Sequence, residues 1–539
     1  MQINPAPLHN QSRLMKDYRN QKAKLIDFFD YPPFGSYQER IEHIKQREFD
    51  RKNLMNVLLK MNKDWDAPQQ TLQNIKRLEA EDSTVVIGGQ QAGLLTGPLY
   101  TINKVISIIQ LARQKEKEFE IPVIPVFWIA GEDHDFEEIN HVYLPNCHRM
   151  QKHKLNTLWN NKRPVSELPF DRKLVHEWME QLFQVLPETE YTEDLYEGLH
   201  SCINLSNSYT DFFARILLHL FKEEGLVLID SANEDVRHLE QNYFITLIKK
   251  QPQISEGIHT SVRQLKNLGY ELTLDAEKND GHLFYHFHGD RILLIRNEEG
   301  NWVGKNGEVI LSTEELIDTV KTKPQNLSNN VVTRPLMQEL LFPTLAFVGG
   351  PGEIAYWAAL KPAFHAIGIM MPPVIPRWSL TYIDRLTEKN AQKFDLTIEQ
   401  LINEGVAEFR ENWLQSKVTP PINELANDVK EKIEHAHQPL REMANEIRAD
   451  ISLLAEKNLQ YLYREIEFLE RKMNQAVEEK YVQELNMLHH LEMVLYPNGG
   501  LQERTWNPLP LINKYGSDWL KAILRTPLSL RDDHYIVYL

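Results

Sequence analysis

Cysteine is scarce: Cys147 and Cys202 are the two among 539 residues, and no Cys-x-x-Cys occurs. That excludes a disulfide framework and a thiolate zinc knuckle, so zinc is not evident. Long apolar runs are also missing. The longest, such as Ile121 to Ala130, fall far short of a membrane-spanning helix and contain proline. The N-terminal stretch MQINPAPLHNQSRLMKDY lacks the apolar core of a signal peptide, and a soluble, reducing, cytoplasmic setting is expected. Positive charge is in deficit, 60 Lys plus Arg against 76 Asp plus Glu, a net charge of −16. This balance argues against nucleic acid or a membrane as the main partner, while leaving room for a local basic pocket. Glycine vanishes for one long stretch: none of the 23 lies between Val406 and Asn498. The remaining composition, 42% hydrophobic and 25% charged, is that of a folded globular chain. Its length predicts about two or three structural units.

Residues 1–83 are polar, with apolar residues at helical spacing, and read as a helical region packing on a core. At Thr84 the texture changes. Thr84-Val85-Val86-Ile87 has the signature of a buried strand. It runs into a glycine loop, Gly88 to Pro98, then a helical pattern (Ile102, Val105, Ile106, Ile109) and a second apolar run ending at Ala130. Strand, loop, helix, strand is one βαβ crossover, so a parallel sheet is expected, with ligands at the carboxyl ends of its strands. The α/β texture resumes at Leu226 to Asp230 and again between Val331 and Arg377. Interruptions fall at about 146–210 and 250–330. The second holds the alternating run LFYHFHGDRILLI (Leu283 to Ile295), read as a hairpin turning at Gly289-Asp290, with His286 and His288 on one face. The core therefore spans 84–394. From 395 to 495, apolar residues recur at three- and four-residue steps: Leu440, Met443, Ile447, Ile451, Leu454, then Leu462, Ile466, Leu469, Met473. That is coiled-coil texture. Thr419-Pro420-Pro421 is expected to divide two antiparallel helices and Pro439 to kink or break the longer one. Residues 496–539 read as a segment returning to the core.

Four stretches carry candidate chemistry. In the first loop, Gly89, Gly93 and Gly97 allow close backbone approach, and with Gln90, Gln91, Thr96 and Lys104 they suit a phosphate or carboxylate at a helix start. A tight turn packing helix on sheet explains the same glycines, and the two readings are about even. In Gly131 to His141, five carboxylates and two histidines crowd eleven residues, a density that needs a metal ion, an amine or an arginine to neutralise it. Asp133, His134, Asp135, Glu138 and His141 are the candidates there; a solvated acidic turn is the bland alternative. The third stretch offers Arg334 and Gln338, then Gly350, Glu353 and Tyr356 around a glycine turn, and Arg377 with Ser379. The fourth, Tyr496 to Arg504, ends the long helix through Pro497, Asn498 and Gly500, and leaves Gln502-Glu503-Arg504 as polar groups that could return to the core; Asn498, Gly500, Gln502 and Arg504 are candidates for a second site.

The strings GGQQAGLLTGPLYTINK (Gly88 to Lys104), PVFWIAGEDHDFEEINH (Pro125 to His141), TRPLMQELLFPTLAFVGGPGEIAYW (Thr333 to Trp357) and YPNGGLQER (Tyr496 to Arg504) resemble the bacillithiol-synthesis cysteine ligase family. The likeness runs over essentially the whole chain. It implies an α/β fold with a Rossmann-like core related to class I aminoacyl-tRNA synthetases, two connecting-peptide insertions, and a coiled-coil domain that makes a homodimer. It also implies joining the carboxyl group of L-cysteine to the amine of glucosaminyl malate. A carboxylate oxygen is a poor leaving group, and in this fold ATP, with Mg2+, commonly activates the acid as an adenylate. On that route the loop from Gly88 to Pro98 holds nucleotide phosphates. Asp133, His134 and Asp135 meet an amine, one of them as general base. Arg334 and Arg377 hold malate carboxylates or phosphates. The synthetase HIGH and KMSKS motifs are absent, so either the cations they supply come from elsewhere, with Lys104 and Arg377 as candidates, or ATP is not used in that way. Competing readings are another nucleotidyltransferase-fold enzyme with a different acid substrate, and a non-catalytic nucleotide-binding coiled-coil dimer.

Overall fold

The β-branched run at Thr84 forms strand β1 (Thr84–Gln90), and helix α1 (Tyr100–Phe119) carries the chain across to β2 (Val123–Ile129). Strand β3 (Val227–Asp230) follows. Helix α2 (Thr333–Leu341) precedes β4 (Thr344–Gly349), and helix α3 (Pro351–Trp357) lies between β4 and β5 (Val374–Pro376). The sheet order is β5-β4-β1-β2-β3, with every pair parallel. Helices cover both faces of such a sheet, which is why these strands read as unbroken apolar runs rather than as alternation. Strand β1 has β2 on one side and β4 on the other. The winding reverses there, and the crevice above that point is where ligands bind in open parallel sheets. Strand packing itself fixes a glycine of the first motif: a Cβ on Gly89 would stand 2.6 Å from the Trp128 carbonyl oxygen of β2.

The computed structural model describes residues 1–35, 37–157 and 163–539. They form two compact units. The first comprises Met1–Asn146, Gln151–Tyr382 and Gln502–Leu539; the second comprises Cys147–Met150 and Ile383–Leu501. In the first unit, N-terminal helices anchor to the sheet through buried polar groups. Tyr18 Oη donates to the Val374 carbonyl (2.6 Å), Arg40 Nε to that of Thr344 (2.8 Å), and Asn62 Nδ2 to that of Leu228 (2.8 Å). The N-terminal region also contributes a strand, Gln2–Ala6, antiparallel to His534–Tyr538. A second, antiparallel sheet contains the hairpin Asp280–Phe287 and Asp290–Arg296, flanked by Leu327–Asn329 on one side and Trp302–Gly304 on the other. The expected turn is there, with Gly289 at φ 87°. His288 lies in that turn at φ 51°, outside the alternation, so it does not share a strand face with His286. Within the interruption at about 146–210, helices span Arg172–Val185 and Thr192–Leu205; residues 158–162 lie outside the described residues.

The second unit is dominated by α4 (Ile422–Ile447) and α5 (Ala449–Lys480). Their pairing is antiparallel. Arg441 meets Glu456 at 3.3 Å, His437 meets Asn458 at 3.0 Å and Lys430 meets Glu467 at 3.3 Å, so partners retreat in step from Arg448. This corrects two expectations. Thr419-Pro420-Pro421 starts α4 instead of turning the hairpin. The chain reverses at Arg448, whose backbone is extended (φ −172°, ψ 142°). Helix α4 also continues through Pro439. Proline forfeits one hydrogen bond and crowds the preceding turn, yet the helix is not broken there and pairs with α5 on both sides of it, through Lys430 and Arg441. The hairpin leaves Leu440, Met443, Ile447, Leu453 and Leu454 more than half exposed. At the far end, Leu495 closes a helix, and Asn498 (φ 54°) and Gly499 (φ 77°) supply the left-handed backbone read from the sequence.

Candidate functional site

A cavity of about 620 Å³ opens above the carboxyl ends of four core strands. Gln90 and Gln91 reach it at the end of β1, Asp133 and His134 after β2, Gly350 and Glu353 after β4, and Arg377 after β5. The glutamine loop and the acidic loop thus face one space. Gln91 Nε2 donates to Asp133 Oδ2 (2.7 Å) and to Glu138 Oε2 (2.8 Å).

Arginines answer the crowding of carboxylates in the acidic loop. Buried Glu132 pairs with Arg237, which also pairs with Glu240, and the backbone N–H of Asn329 donates to Glu132 Oε2 at 3.1 Å. One arginine shared by two buried carboxylates leaves a deficit of positive charge. Burial pushes Glu240 up to about 7, and its Oε1 has no hydrogen-bond partner among the described residues. Arg291, on the hairpin strand opposite His286, lies over the Phe284 ring (3.8 Å) and donates to the Asn329 carbonyl (2.5 Å). Its Nη1 is 3.5 Å from Asp133 Oδ1 and 3.2 Å from His134 Nδ1. A guanidinium only donates, so Nδ1 of a neutral His134 accepts and the ring proton sits on Nε2. Asp133 Oδ1 also receives the His134 backbone N–H at 2.8 Å.

Five cations line the cavity, Lys104, Arg291, Arg334, Arg377 and Arg504, against three carboxylates, Glu132, Asp133 and Glu353. Lys104 Nζ is held by the Gly89 carbonyl (2.6 Å), Gln90 Oε1 (3.0 Å) and Glu353, and burial draws its ammonium below the ordinary value against the pull of Glu353. Glu353 also caps α3 by accepting from the Gly350 N–H (2.8 Å). Arg334 pairs with the Tyr356 hydroxyl, which burial pushes up to about 12. Arg377 is gripped by buried Glu503 through two bonds of 2.7 and 2.8 Å.

A smaller cavity of about 240 Å³ adjoins the first; Gln90, Gln91, Tyr100 and Arg504 line both. Gly93, Thr96, Gly97, Glu138 and His141 line the smaller one. Here the structure corrects the physical basis read into the glycine loop. The Gly93 N–H donates to the Gln91 carbonyl (2.9 Å) and the Gly97 N–H to the Leu94 carbonyl (2.8 Å), so neither amide is left for an anion. Asn507 Nδ2 ties the Leu95 and Gly97 carbonyls at 3.0 and 2.7 Å. The loop is a packed turn that shapes a wall.

Several residues proposed from sequence stand elsewhere. Asp135 is exposed and lines neither cavity, because the chain turns outward there into the short helix Phe136–Ile139. Ser379 donates to Glu503 Oε1 (2.8 Å), and Gln502 clamps the backbone of Tyr382 through two 2.8 Å bonds; neither lines a cavity. Gln338 is buried in α2, away from both linings. Asn498 and Gly500 belong to the second unit. Sequence reasoning missed Arg291 and Asn329, and read Glu503 only as part of a polar run returning to the core, not as the partner of Arg377. Glu503 adjoins two chosen residues. Arg291 comes from a distant stretch whose alternation shows a strand but not what it faces, and Asn329 from the short strand Leu327–Asn329, which has no alternation long enough to read. Among the described residues no group of three or more His, Cys, Asp or Glu side chains could hold a metal ion, and no helix is long and apolar enough to cross a membrane.

Comparison with known proteins gives consistent matches. Residues 1–378 match the family described as bacillithiol biosynthesis BshC, N-terminal Rossmann-like domain, and residues 380–539 match its C-terminal coiled-coil domain. A protein of Oceanobacillus iheyensis named "Putative cysteine ligase BshC" is 40% identical over the full length of both chains. Proteins of the same name from Bacillus cereus (strain AH187) and Bacillus anthracis are 39% identical, with 98% of each chain covered.

Proposed function

The chain belongs to the bacillithiol biosynthesis BshC family, and from that premise we propose that it is the ligase that joins the carboxyl group of L-cysteine to the amine of glucosaminyl malate, using ATP. The observation that carries this reading is the large cavity. It sits at the winding reversal of a parallel sheet, holds an excess of cations, and includes Asp133 in the same lining. Both anionic partners fit that charge: a malate carries two carboxylates, and ATP carries phosphates. Lys104, Arg334 and Arg377 are the groups to hold them, in place of the Gly93 and Gly97 amides, which are already bonded. Mg2+ would enter with the nucleotide.

The chemistry needs activation, because the cysteine carboxylate has no leaving group. On the adenylate route its oxygen bonds to the α-phosphorus of ATP and pyrophosphate leaves; the sugar amine then bonds to the acyl carbon, AMP leaves, and a base takes the amine's proton. Elimination favours Asp133 as that base. Asp135 is outside the cavity, and the single Nδ1 lone pair of His134 is engaged by Arg291, whereas the Asp133 carboxylate, which accepts from Gln91, the His134 N–H and Arg291, has more acceptor sites than these donors fill. Lys104 and the arginines stabilise charge and position reactants, from which most of the acceleration would come. The interruptions at about 146–210 and 250–330 are read as connecting peptides of a synthetase-like core. The exposed apolar residues of α4 and α5 support a homodimer through the coiled coil, because a seam of that size is ordinarily covered. Sedimentation with and without residues 395–495 tests the dimer. The activity is tested by incubating the protein with ATP, cysteine and glucosaminyl malate. Bacillithiol with AMP and pyrophosphate supports the full route, ADP with phosphate refutes the adenylate, and no bacillithiol refutes the ligase.

A further inference from the structure

The smaller cavity has a chemistry of its own. Its polar lining is of mixed sign, Glu138 on one element and Arg504 on another, and Ile139, Val142 and Pro98 are also part of the lining. The Gly93 and Gly97 amides are bonded within the loop, so these two glycines offer a phosphate no donor. It is also much smaller than its neighbour, about 240 against 620 Å³. A ligand that suits it is compact and carries both an ammonium and a carboxylate. The wall is shared, and at that wall Gln91 donates at once to Asp133 of the large cavity and Glu138 of the small one. The two cavities are therefore adjacent across Gln91, close enough for an occupant of one to neighbour the reactants of the other.

We propose that the smaller cavity is the L-cysteine subsite, with Glu138 holding the ammonium, Arg504 holding the carboxyl group at the shared wall, and the thiol lying toward Ile139, Val142 and His141. This rests on the ligase reading and adds what that reading lacks, a place that keeps two amines apart. The reaction involves two amines and one activated carboxyl group. If the cysteine amine were free, cysteine would acylate itself to a dipeptide. A carboxylate at 138 keeps that amine as an ammonium, which has no lone pair, while the sugar amine meets Asp133 on the other side of Gln91. The His141 ring stands edge-on to Tyr143 (centroids 5.4 Å), and its Nδ1 lies 3.3 Å from Asn140 Oδ1. An amide oxygen only accepts, so Nδ1 carries the proton and Nε2 is left as the acceptor. Burial lowers the His141 ring below its ordinary value, in the direction that keeps it neutral; Lys152 and Lys154 add to this and Glu137 opposes it. A thiol is a weak donor that tolerates apolar company, whereas a serine hydroxyl placed among Ile139 and Val142 would lose hydration without full replacement.

The test uses the full-length protein and the exposed, fold-neutral change Glu138→Gln. Loss of a charged hydrogen bond at a solvent-accessible position is expected to raise KM for cysteine about tenfold and leave KM for ATP and glucosaminyl malate within about twofold. Calorimetric binding of L-cysteine and of 3-mercaptopropionate, which lacks the ammonium, gives a readout without turnover. Wild type is expected to prefer cysteine, and Glu138→Gln to narrow the gap. An unchanged cysteine KM, a rise confined to glucosaminyl malate, or equal binding of the two thiols by wild type overturns the subsite. If cysteine binds with the expected preference but no bacillithiol forms in the complete assay, the ligase reading fails while the subsite stands.

Discussion

Replacing Glu503 with glutamine removes one charge and almost no volume, and it should be among the most damaging single changes in the first unit. The carboxylate is fully buried and saturated. It accepts from Arg377 Nη1 (2.7 Å) and Nη2 (2.8 Å), from Asn103 Nδ2 (2.7 Å) and from Ser379 Oγ (2.8 Å). All four partners donate. A glutamine amide keeps one acceptor and turns a donor toward donors, while the Arg377 guanidinium stays buried without its counter-charge. Breaking a buried ion pair by removing one partner costs about 3–5 kcal/mol, since the remaining charge keeps its desolvation penalty. Removing both charges, as Arg377→Met with Glu503→Met, should cost less than Glu503→Gln alone. The assay is urea unfolding followed by tryptophan fluorescence, with the midpoint shift converted through the measured slope. The pH dependence supplies an independent check. Burial by itself raises the Glu503 carboxyl, but the charge and hydrogen bonds of Arg377 outweigh it, and the net value lies below the ordinary 4.5. A depressed folded value means that the stabilisation is complete above about pH 4.5 and is lost as pH falls through the lower folded value. The wild-type and Glu503→Gln stability curves should therefore converge in acid. A midpoint at pH 7.5 within about 0.5 kcal/mol of wild type, or a double variant worse than the single one, would refute the reasoning.

Three further outcomes are expected. Asp133→Asn should lower kcat about 10²- to 10⁴-fold in the ligase assay, while Asp135→Asn, outside both cavities, should leave it within about twofold; equal losses would remove the basis for choosing Asp133. Gly89→Ala places a methyl 2.6 Å from a backbone oxygen of β2 and should lower the unfolding free energy by about 1–3 kcal/mol, read by the same urea titration. Glu240, raised from 4.5 to about 7 mainly by burial, gives stability that is full below about pH 4.5 and lost as pH rises through about 7; Glu240→Gln should flatten that decline in melting temperature between pH 5 and 8, and an unchanged slope would count against it.

How far the sequence could be read depended on the range of the interaction. Strands β1 and β2 and helix α1 were legible because strand burial and helix amphipathicity are written in consecutive residues. The placement of Gln91 beside Asp133 was inferred from one rule, that loops at the carboxyl ends of parallel strands converge. The hairpin of α4 and α5 was legible as heptads, but its turn was not. Proline is a strong local signal, and it drew attention to Thr419-Pro420-Pro421 and Pro439, while the reversal occurs at Arg448, which carries no local mark. Asp135 illustrates the converse. It shares its motif with Asp133 yet points outward, because the first turn of Phe136–Ile139 redirects the chain within two residues.

The sequence by itself determined the family, the parallel-sheet core, the coiled coil and the two loops that meet at the cleft, all carried by residues near one another in the chain. Tertiary structure alone decided which charges face which. Arg291 reaches the acidic loop from another sheet, Glu503 takes hold of Arg377 from the C-terminal segment, and the loop glycines spend their amides on their own turn. The physical reason is that ion pairing and cavity shape depend on distance in space, and hundreds of residues can separate partners that end up within 3 Å.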